Sequence, residues 1–199
     1  MAPPTSFSPP LAPPGAGVPA LERIVGGFVL ALRRRLGTPA RISAQFERER
    51  RRIAALCAGH NDDTLSARTL IPRLRGLEDS SRFWSVWMTL DHLRIVNDAI
   101  ARTVSDLMLN RSPEGTASTA AVKPRDNVDG QVSAAYQVSC DRLAALLVAG
   151  AESRSPLRYA HPWFGPLDAR GWCTLASVHM GIHRAQIARI LHAAPRGRA

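Results

Sequence analysis

The amino-acid sequence predicts an all-α protein, a four-helix bundle preceded by a short extra helix and a proline-rich tail. Four long stretches carry apolar residues with the spacing of a helix that packs on one side. No stretch has the alternating pattern of a strand, and no internal repeat is present. Because 199 residues with 45% hydrophobic side chains suffice for one core, residues 20–199 are predicted to form a single domain.

The first 36 residues divide into a tail and a helix. Residues 1–19 contain seven prolines among alanine, serine and glycine, so we expect a disordered or polyproline-like tail. From Leu21 to Leu36 the apolar spacing predicts an amphipathic helix whose three closing arginines suit the negative end of the helix dipole. A helix that lies on a membrane surface is the alternative, which Gly26 and Gly27 disfavour.

The next two predicted helices supply much of the core. Thr38 followed by Pro39 favours a helix start, and Gly59 favours the left-handed turn that ends the helix. A long connection over residues 60–79 follows. The helix predicted over about 81–109 is apolar nearly all round in its first half, and a helix of that kind is buried.

The second half of the chain is predicted to begin with a loop and a helix. Residues 110–126 are polar and rich in small side chains, which indicates a crossover loop. A helix over about 127–148 follows, and Gly150 is expected to close it. An aromatic segment, 153–167, then precedes the last helix.

The last helix, Trp172–Leu191, carries two histidines on its apolar side. Asp168 is expected to cap its N-terminus. His179 and His183 are four residues apart, so they project from the same side, one turn above the other. A buried ring nitrogen without a partner is costly, so both histidines are expected to be hydrogen-bonded or bound to a metal ion.

A third candidate ligand is His92, in the middle of the most buried predicted helix. Three neutral imidazoles, with water in a fourth position, would form an open Lewis-acidic metal site between two helices. The alternative is that each histidine is an ordinary hydrogen-bonded core residue. Met180 follows His179, so the HExxH motif of zinc proteases is absent, as are phosphate-loop, dinucleotide-binding and nucleophile-elbow motifs.

The net charge and the cysteine content limit which binding partners and which cellular compartment the sequence predicts. The net charge is +10, but Lys123 is the only lysine and the arginines are spread along the chain without a nucleic-acid-binding motif, so no specific nucleic-acid partner is predicted. The apolar run 24–32 is too short to span a bilayer, and no secretion signal is present. A cytoplasmic protein without membrane attachment is predicted, and its three isolated cysteines fit a reducing compartment (Cys57, Cys140 and Cys173).

Three segments together resemble the DinB/YfiT-like four-helix-bundle superfamily. They are WSVWMTLDHL (Trp84–Leu93), HPWFGPLDARGW (His161–Trp172) and HMGIHRAQI (His179–Ile187). The resemblance is strongest to members that carry an HP-aromatic-FG-L segment before the last helix. It covers roughly residues 40–192, the expected domain core, and leaves the tail and the first helix outside.

The resemblance implies a divalent metal ion, zinc or nickel, held by His92, His179 and His183. All three positions are filled in this chain. The resemblance also implies a homodimer. Members with known activity include thiol S-transferases and thiol-dependent isomerases, in which the metal activates a low-molecular-weight thiol. Other members are described as metal-dependent hydrolases.

Several further residues are candidates for the site. His161 either lines the pocket mouth as a proton shuttle or caps its loop through hydrogen bonds. Trp87, Tyr136, Arg184 and Gln186 are candidate pocket residues, although helical phase alone does not settle which of them face the histidines.

Two functions therefore remain open from the sequence. One is a metal-dependent enzyme that transfers or hydrolyses groups on a small electrophilic substrate, with the metal lowering the pKa of a bound thiol or water. The other is a non-catalytic metal-binding or stress-associated protein in which the metal braces the bundle.

Overall fold

The computed structural model describes residues 9–194, and its architecture is the predicted all-α four-helix bundle. The elements in chain order are α1 (Ala20–Leu36), α2 (Pro39–Cys57), α3 (Asp62–Ser66), β1 (Thr69–Leu70), a 3-10 turn (Asp79–Ser81), β2 (Phe83–Trp84), α4 (Val86–Met108), α5 (Val132–Glu152), β3 (Tyr159–His161), β4 (Gly165–Leu167) and α6 (Ala169–Ala193). The four long helices pack as a ring in the order α2, α5, α4, α6, and the core lies between them. Within the described residues, no helix has both the length and the apolar character that are needed to cross a bilayer.

Side-chain caps explain where three of the four bundle helices begin. Thr38, Ser85 and Asp168 each precede a helix, and their side-chain oxygens accept hydrogen bonds from the backbone N–H three residues later. These bonds satisfy donors that a helix N-terminus otherwise leaves unpaired. The expected cap at Asp168 and the expected proline start of α2 are both confirmed.

Gly150 lies inside α5 and does not close it, which corrects the predicted end of that helix. A Cβ atom at this position would lie 2.6 Å from Val104 Cγ1 on α4 and 2.8 Å from Cys173 Sγ on α6. The glycine is therefore required by the close approach of three helices, and the chain continues as a helix to Glu152. The start also differs, because α5 begins at Val132 after a turn.

Two short strand pairs are present where none was predicted. β1 pairs with β2 and β3 pairs with β4, both antiparallel. Because β2 precedes α4, the helix begins at Val86 and not near residue 81 as predicted. Strands of two or three residues are too short to show a period-two pattern, so the sequence gives no signal for them.

The second half of the proline-rich segment contacts the domain. Residues 9–19 form no helix or strand, but the N–H of Ala12 donates to Asp79 Oδ2 (2.8 Å) and that of Gly15 donates to Glu78 Oε2 (3.3 Å). Val18 is buried. This part of the expected tail is therefore attached to the domain, whereas residues 1–8 lie outside the described part of the chain.

The extra helix, α1, packs against α6 and the β3–β4 hairpin. Leu30 is buried there, and a Cβ atom at Gly26 would lie 3.3 Å from the ring of Phe164. The guanidinium of Arg34 pairs with the carboxylate of Asp168. These residues lie on one side of the helix, and a second ion pair joins Glu22 near its start to Arg73 of the domain (2.6 Å).

Candidate metal centre

The packing of α4 beside α6 in the bundle brings three histidines together. His92 lies in the first half of α4, and His179 and His183 lie one turn apart on α6. The Nε2 atom of His179 is 3.2 Å from that of His92 and 3.1 Å from that of His183. Within residues 9–194 this histidine cluster (His92, His179 and His183) is the group of potential metal ligands whose donor atoms converge.

Hydrogen bonds on the far side of two rings fix which nitrogen faces the centre. His92 Nδ1 lies 2.6 Å from the carbonyl oxygen of Val122, and His183 Nδ1 lies 2.6 Å from Oε1 of Gln186. A carbonyl oxygen only accepts, so Nδ1 carries the proton in both rings and donates it. In the neutral imidazoles the unprotonated Nε2 then points to the centre, which is the arrangement of a metal-ligating histidine.

Gln186 is itself held in one orientation. Its amide nitrogen donates to the carbonyl oxygen of Ser81 at 2.7 Å, so its oxygen is the atom left to accept from His183. The side chain is fully buried. Gln186 therefore links the 3-10 turn to the histidine cluster and sets the tautomer of His183.

The environment keeps all three histidines neutral. Burial lowers the pKa of each ring well below its usual value, and the next largest cause is the charge that a neighbouring histidine would carry. Lys123 lowers the pKa of His92 and His183 further. Neutral imidazole is the form that binds metal ions, so the protonation state at pH 7 matches that role.

The nitrogen separations fit a bound divalent ion. With metal–nitrogen bonds of about 2.0–2.1 Å, the ligand atoms of a tetrahedral site are about 3.4 Å apart and those of an octahedral site about 2.9 Å apart. The observed 3.1 and 3.2 Å lie between these values. Without an ion, a single proton on His179 Nε2 would have to satisfy two facing lone pairs. His92 and His183 are buried, whereas His179 is partly exposed, so His179 is the member of the cluster nearest to solvent.

An aromatic ring and a lysine, neither of which was predicted to belong to the site, complete the surroundings of the cluster. The ring of Trp84 is nearly parallel to that of His183, with centroids 6.3 Å apart, and its centroid is 5.2 Å from that of His92. Lys123 Nζ lies 5.3 Å from the centroid of Trp84. The carboxylate of Glu78 accepts from this ammonium at 2.6 Å.

The loop that supplies the Val122 carbonyl is anchored to α4. The buried carboxylate of Asp91, next to His92 in the sequence, accepts a hydrogen bond from the backbone N–H of Arg125 at 3.1 Å. It also accepts from the guanidinium of Arg94 at 2.9 Å. This anchor holds the loop where its carbonyl meets the ring of His92.

Of the four candidate pocket residues, the structure brings Gln186 into contact with the cluster. The polar groups of the other three are directed elsewhere. Trp87 donates its indole N–H to Asp62 (2.8 Å), Arg184 pairs with Glu49 (2.7 Å), and the hydroxyl of the buried Tyr136 lies 3.9 Å from Met180 Sδ.

His161 lies on β3 and has the geometry of a loop cap. Its Nδ1 accepts the backbone N–H of Trp163 at 3.1 Å, and its ring stacks on that of Phe164 with centroids 4.8 Å apart. Burial lowers its pKa to about 4. A ring with that pKa is neutral at pH 7 and has one nitrogen engaged, which favours the capping alternative over proton transfer.

Fold and site together define a class: a four-helix bundle with three converging histidines on two adjacent helices. The chain belongs to the DinB superfamily, whose sequence model matches residues 45–187. Among solved structures, the crystal structure of TT2238, a four-helix bundle protein, is similar, with 23% identity, a TM-score of 0.53, and coverage of 74% of this chain and 96% of that chain. That likeness supports the fold alone. A search of curated proteins returned no match.

Proposed function

We propose that this protein binds one divalent metal ion, zinc or nickel, at the histidine cluster and uses it as a metal-dependent enzyme on a small electrophilic substrate. The reaction class is thiol S-transfer or hydrolysis. The approach of the Nε2 atoms of His92 and His183 to that of His179, at 3.2 and 3.1 Å, carries the proposal, because the two Nδ1 hydrogen bonds turn unprotonated nitrogens toward it. Membership of the DinB superfamily supports it.

The residues of the site have separable roles in this proposal. His92, His179 and His183 would hold the ion, which when bound lowers the pKa of a thiol or water so that a nucleophile forms at neutral pH. Val122 and Gln186 keep two of the rings in the ligating tautomer. The partly exposed side of the cluster, at His179, is where a small thiol and its electrophile would approach.

Metal stoichiometry tests the first half of the proposal. We expect elemental mass spectrometry to find about one zinc or nickel ion per chain, consistent with a single three-histidine site. His92→Ala and His183→Ala should lose the ion, whereas the matched control His192→Ala, an exposed residue on the same helix, should retain it. Wild-type protein that binds no ion after incubation with zinc or nickel would overturn the proposal.

Activity tests the second half. Metal-loaded protein is assayed with a panel of low-molecular-weight thiols and electrophiles, and separately for hydrolysis without thiol. The proposal expects turnover that is lost in His179→Ala and kept in His192→Ala. Metal binding without turnover across the panel would refute the proposed enzymatic activity and retain the proposed metal site.

The non-catalytic alternative also has an observation in its favour. His92 and His183 are buried on different helices, so a bound ion would tie α4 to α6 and stabilise the bundle. This alternative expects a large fall in the melting temperature on chelation and an ion without an exchangeable water ligand. Water exchange measured by relaxation on a paramagnetic substitute ion distinguishes it from the enzyme.

A further inference from the structure

Lys123 is the only lysine of the chain, and its ammonium joins two segments beside the histidine cluster. Its Nζ atom donates hydrogen bonds to Glu78 Oε2 (2.6 Å), Ser80 Oγ (2.9 Å) and Ser81 Oγ (3.0 Å). An ammonium has three N–H donors, so these bonds occupy all of them. The lysine side chain is 17% exposed, and Glu78 is buried. Lys123 therefore has no donor left for a substrate, and its contribution lies in the segments that it joins.

The two segments joined by Lys123 each hold a partner of a buried ring of the cluster. On one side, Val122 directly precedes Lys123, and its carbonyl oxygen accepts the Nδ1–H of His92 (2.6 Å). On the other side, the carbonyl oxygen of Ser81 accepts from the amide of the glutamine that orients His183 (2.7 Å). Both imidazole tautomers therefore depend on the positions of two carbonyl groups that one ammonium connects.

Lys123 and Glu78 form a charged pair at the centre of this connection. Burial raises the pKa of the Glu78 carboxyl, but hydrogen bonds and positive charge, chiefly those of Lys123, lower it more. The pKa therefore lies below its usual value, and the carboxylate is ionised at pH 7. Its Oε2 atom also accepts from the backbone N–H of Gly15 (3.3 Å). Separation of a buried pair leaves a charge without its partner, so the pair fixes the distance between the two segments.

We propose that Lys123 is a positioning residue of the metal centre. Paired with Glu78, it holds the loop carbonyl and the turn carbonyl in place, so that the rings of His92 and His183 keep the ligating tautomer. Asp91 anchors the same loop to α4, whereas Lys123 ties it to the 3-10 turn. The effect on metal affinity rests on the proposed function, but the effect on the two tautomers does not require a metal.

The charge of Lys123 alone would have the opposite effect on a metal ion. Its Nζ atom lies 5.3 Å from the centroid of Trp84, whose ring is next to those of His92 and His183. After burial and the neighbouring histidines, this ammonium is a further cause that lowers the pKa of both rings. A positive charge that disfavours a proton on these rings also disfavours a divalent cation there. Loss of the charge alone therefore raises metal affinity, whereas loss of the two held carbonyl groups lowers it.

The zinc affinity of Lys123→Met measures the sign of this change. We expect competition with a chromophoric chelator to show binding about 10-fold weaker than in wild type, the lower end of the loss when a ligating histidine loses its partner. The matched control is Glu49→Gln, which alters a buried carboxylate on α2 that is paired with Arg184 (2.7 Å). It should bind zinc with wild-type affinity. Affinity in Lys123→Met equal to or above that of wild type would overturn the inference.

The imidazole tautomers of the metal-free protein provide a readout that needs no metal. Nitrogen-15 NMR of wild type should show slowly exchanging Nδ1–H signals of His92 and His183, assigned by their loss in the alanine variants. In Lys123→Met, and in the isosteric Glu78→Gln, which leaves the ammonium without its charged acceptor, these signals should broaden or disappear. Glu49→Gln should retain them. Unchanged signals in both Lys123→Met and Glu78→Gln would overturn the inference, and Glu78→Gln alone decides if Lys123→Met does not fold.

The two readouts separate failure of this inference from failure of the proposed function. A wild type that binds no zinc, but loses the Nδ1–H signals in both variants, would refute the metal site and retain the role of Lys123 in fixing the tautomers. A wild type that binds zinc, with variants that keep the signals and the affinity, would refute the role of Lys123 and retain the metal site.

Discussion

Replacement of Gln186 tests whether the tautomer of His183 matters for metal binding, because the histidine itself is retained. In Gln186→Leu, of similar size, the Nδ1–H of His183 loses its acceptor and the carbonyl of Ser81 loses its donor, both in a buried position. An unpaired buried polar group costs about 1–3 kcal/mol, so the metal-free protein should be destabilised by that order. Loss of the partner that orients a ligating histidine lowers metal affinity by about 10–100-fold.

The variant Gln186→Glu provides the internal comparison. A carboxylate keeps an acceptor for His183 but removes the N–H that Ser81 accepts, and places an oxygen against that carbonyl. It should therefore lose stability while it retains metal affinity, whereas Gln186→Leu loses both. Gln137→Leu, on α5 and hydrogen-bonded to Arg50, controls for removal of a glutamine elsewhere.

Two measurements are needed for these variants. Urea denaturation of metal-free protein gives the free energy of unfolding, and competition with a chromophoric chelator gives the dissociation constant for zinc. Equal zinc affinity in wild type, Gln186→Leu and Gln186→Glu would refute the argument that Gln186 sets the ligating tautomer of His183. Loss of affinity in Gln186→Glu as large as in Gln186→Leu would refute it as well.

Two further predictions concern stability. The pKa values of the histidine cluster and of His161 are lowered in the folded state, so below about pH 6.5 these histidines bind protons in the unfolded chain before they do so in the folded protein. Each such histidine then lowers the free energy of unfolding by up to about 1.4 kcal/mol per pH unit. The urea midpoint of metal-free protein should fall between pH 7.5 and pH 5.5, and a constant midpoint would contradict this. Gly150→Ala should cost about 1–3 kcal/mol because its Cβ atom meets Val104 at 2.6 Å, whereas Gly181→Ala, with nothing nearer than 3.9 Å, should stabilise the protein by about 0.5–1 kcal/mol in thermal unfolding. Equal effects of the two substitutions would contradict the packing argument.

Helical periodicity was sufficient to predict part of the histidine cluster. The four-residue spacing places His179 and His183 on one side of α6 whatever the rest of the chain does. Their meeting with His92 depends on α4 and α6 being neighbours, which the observed order of the helices provides and periodicity alone does not predict. Gln186 lies three residues after His183, on the same side of the helix, and that spacing is the signal by which its contact is recognised.

The remaining contacts depend on features that carry no sequence pattern. Val122 contributes a backbone carbonyl, which every residue has, so only the path of the loop identifies it. Trp84 was expected within a continuous helix, but it lies on strand β2, because α4 begins only after the cap at Ser85. Trp87 and Tyr136 lie on helices that are apolar on several sides, so periodicity gave them no unique orientation. The spacing in α1 predicted an amphipathic helix but not which side would be covered.

The anchored loop between α4 and α5 has a consequence for protein engineering. An insertion at Gly115, which has a positive φ and open space around it, should be tolerated as a tag or as new termini in a circular permutant. The same insertion between Val122 and Arg125 would separate the His92 acceptor from the Asp91 anchor. The first part of the loop, around Gly115, therefore only connects two helices, whereas residues 122–125 hold the histidine cluster in place through the buried carboxylate of Asp91.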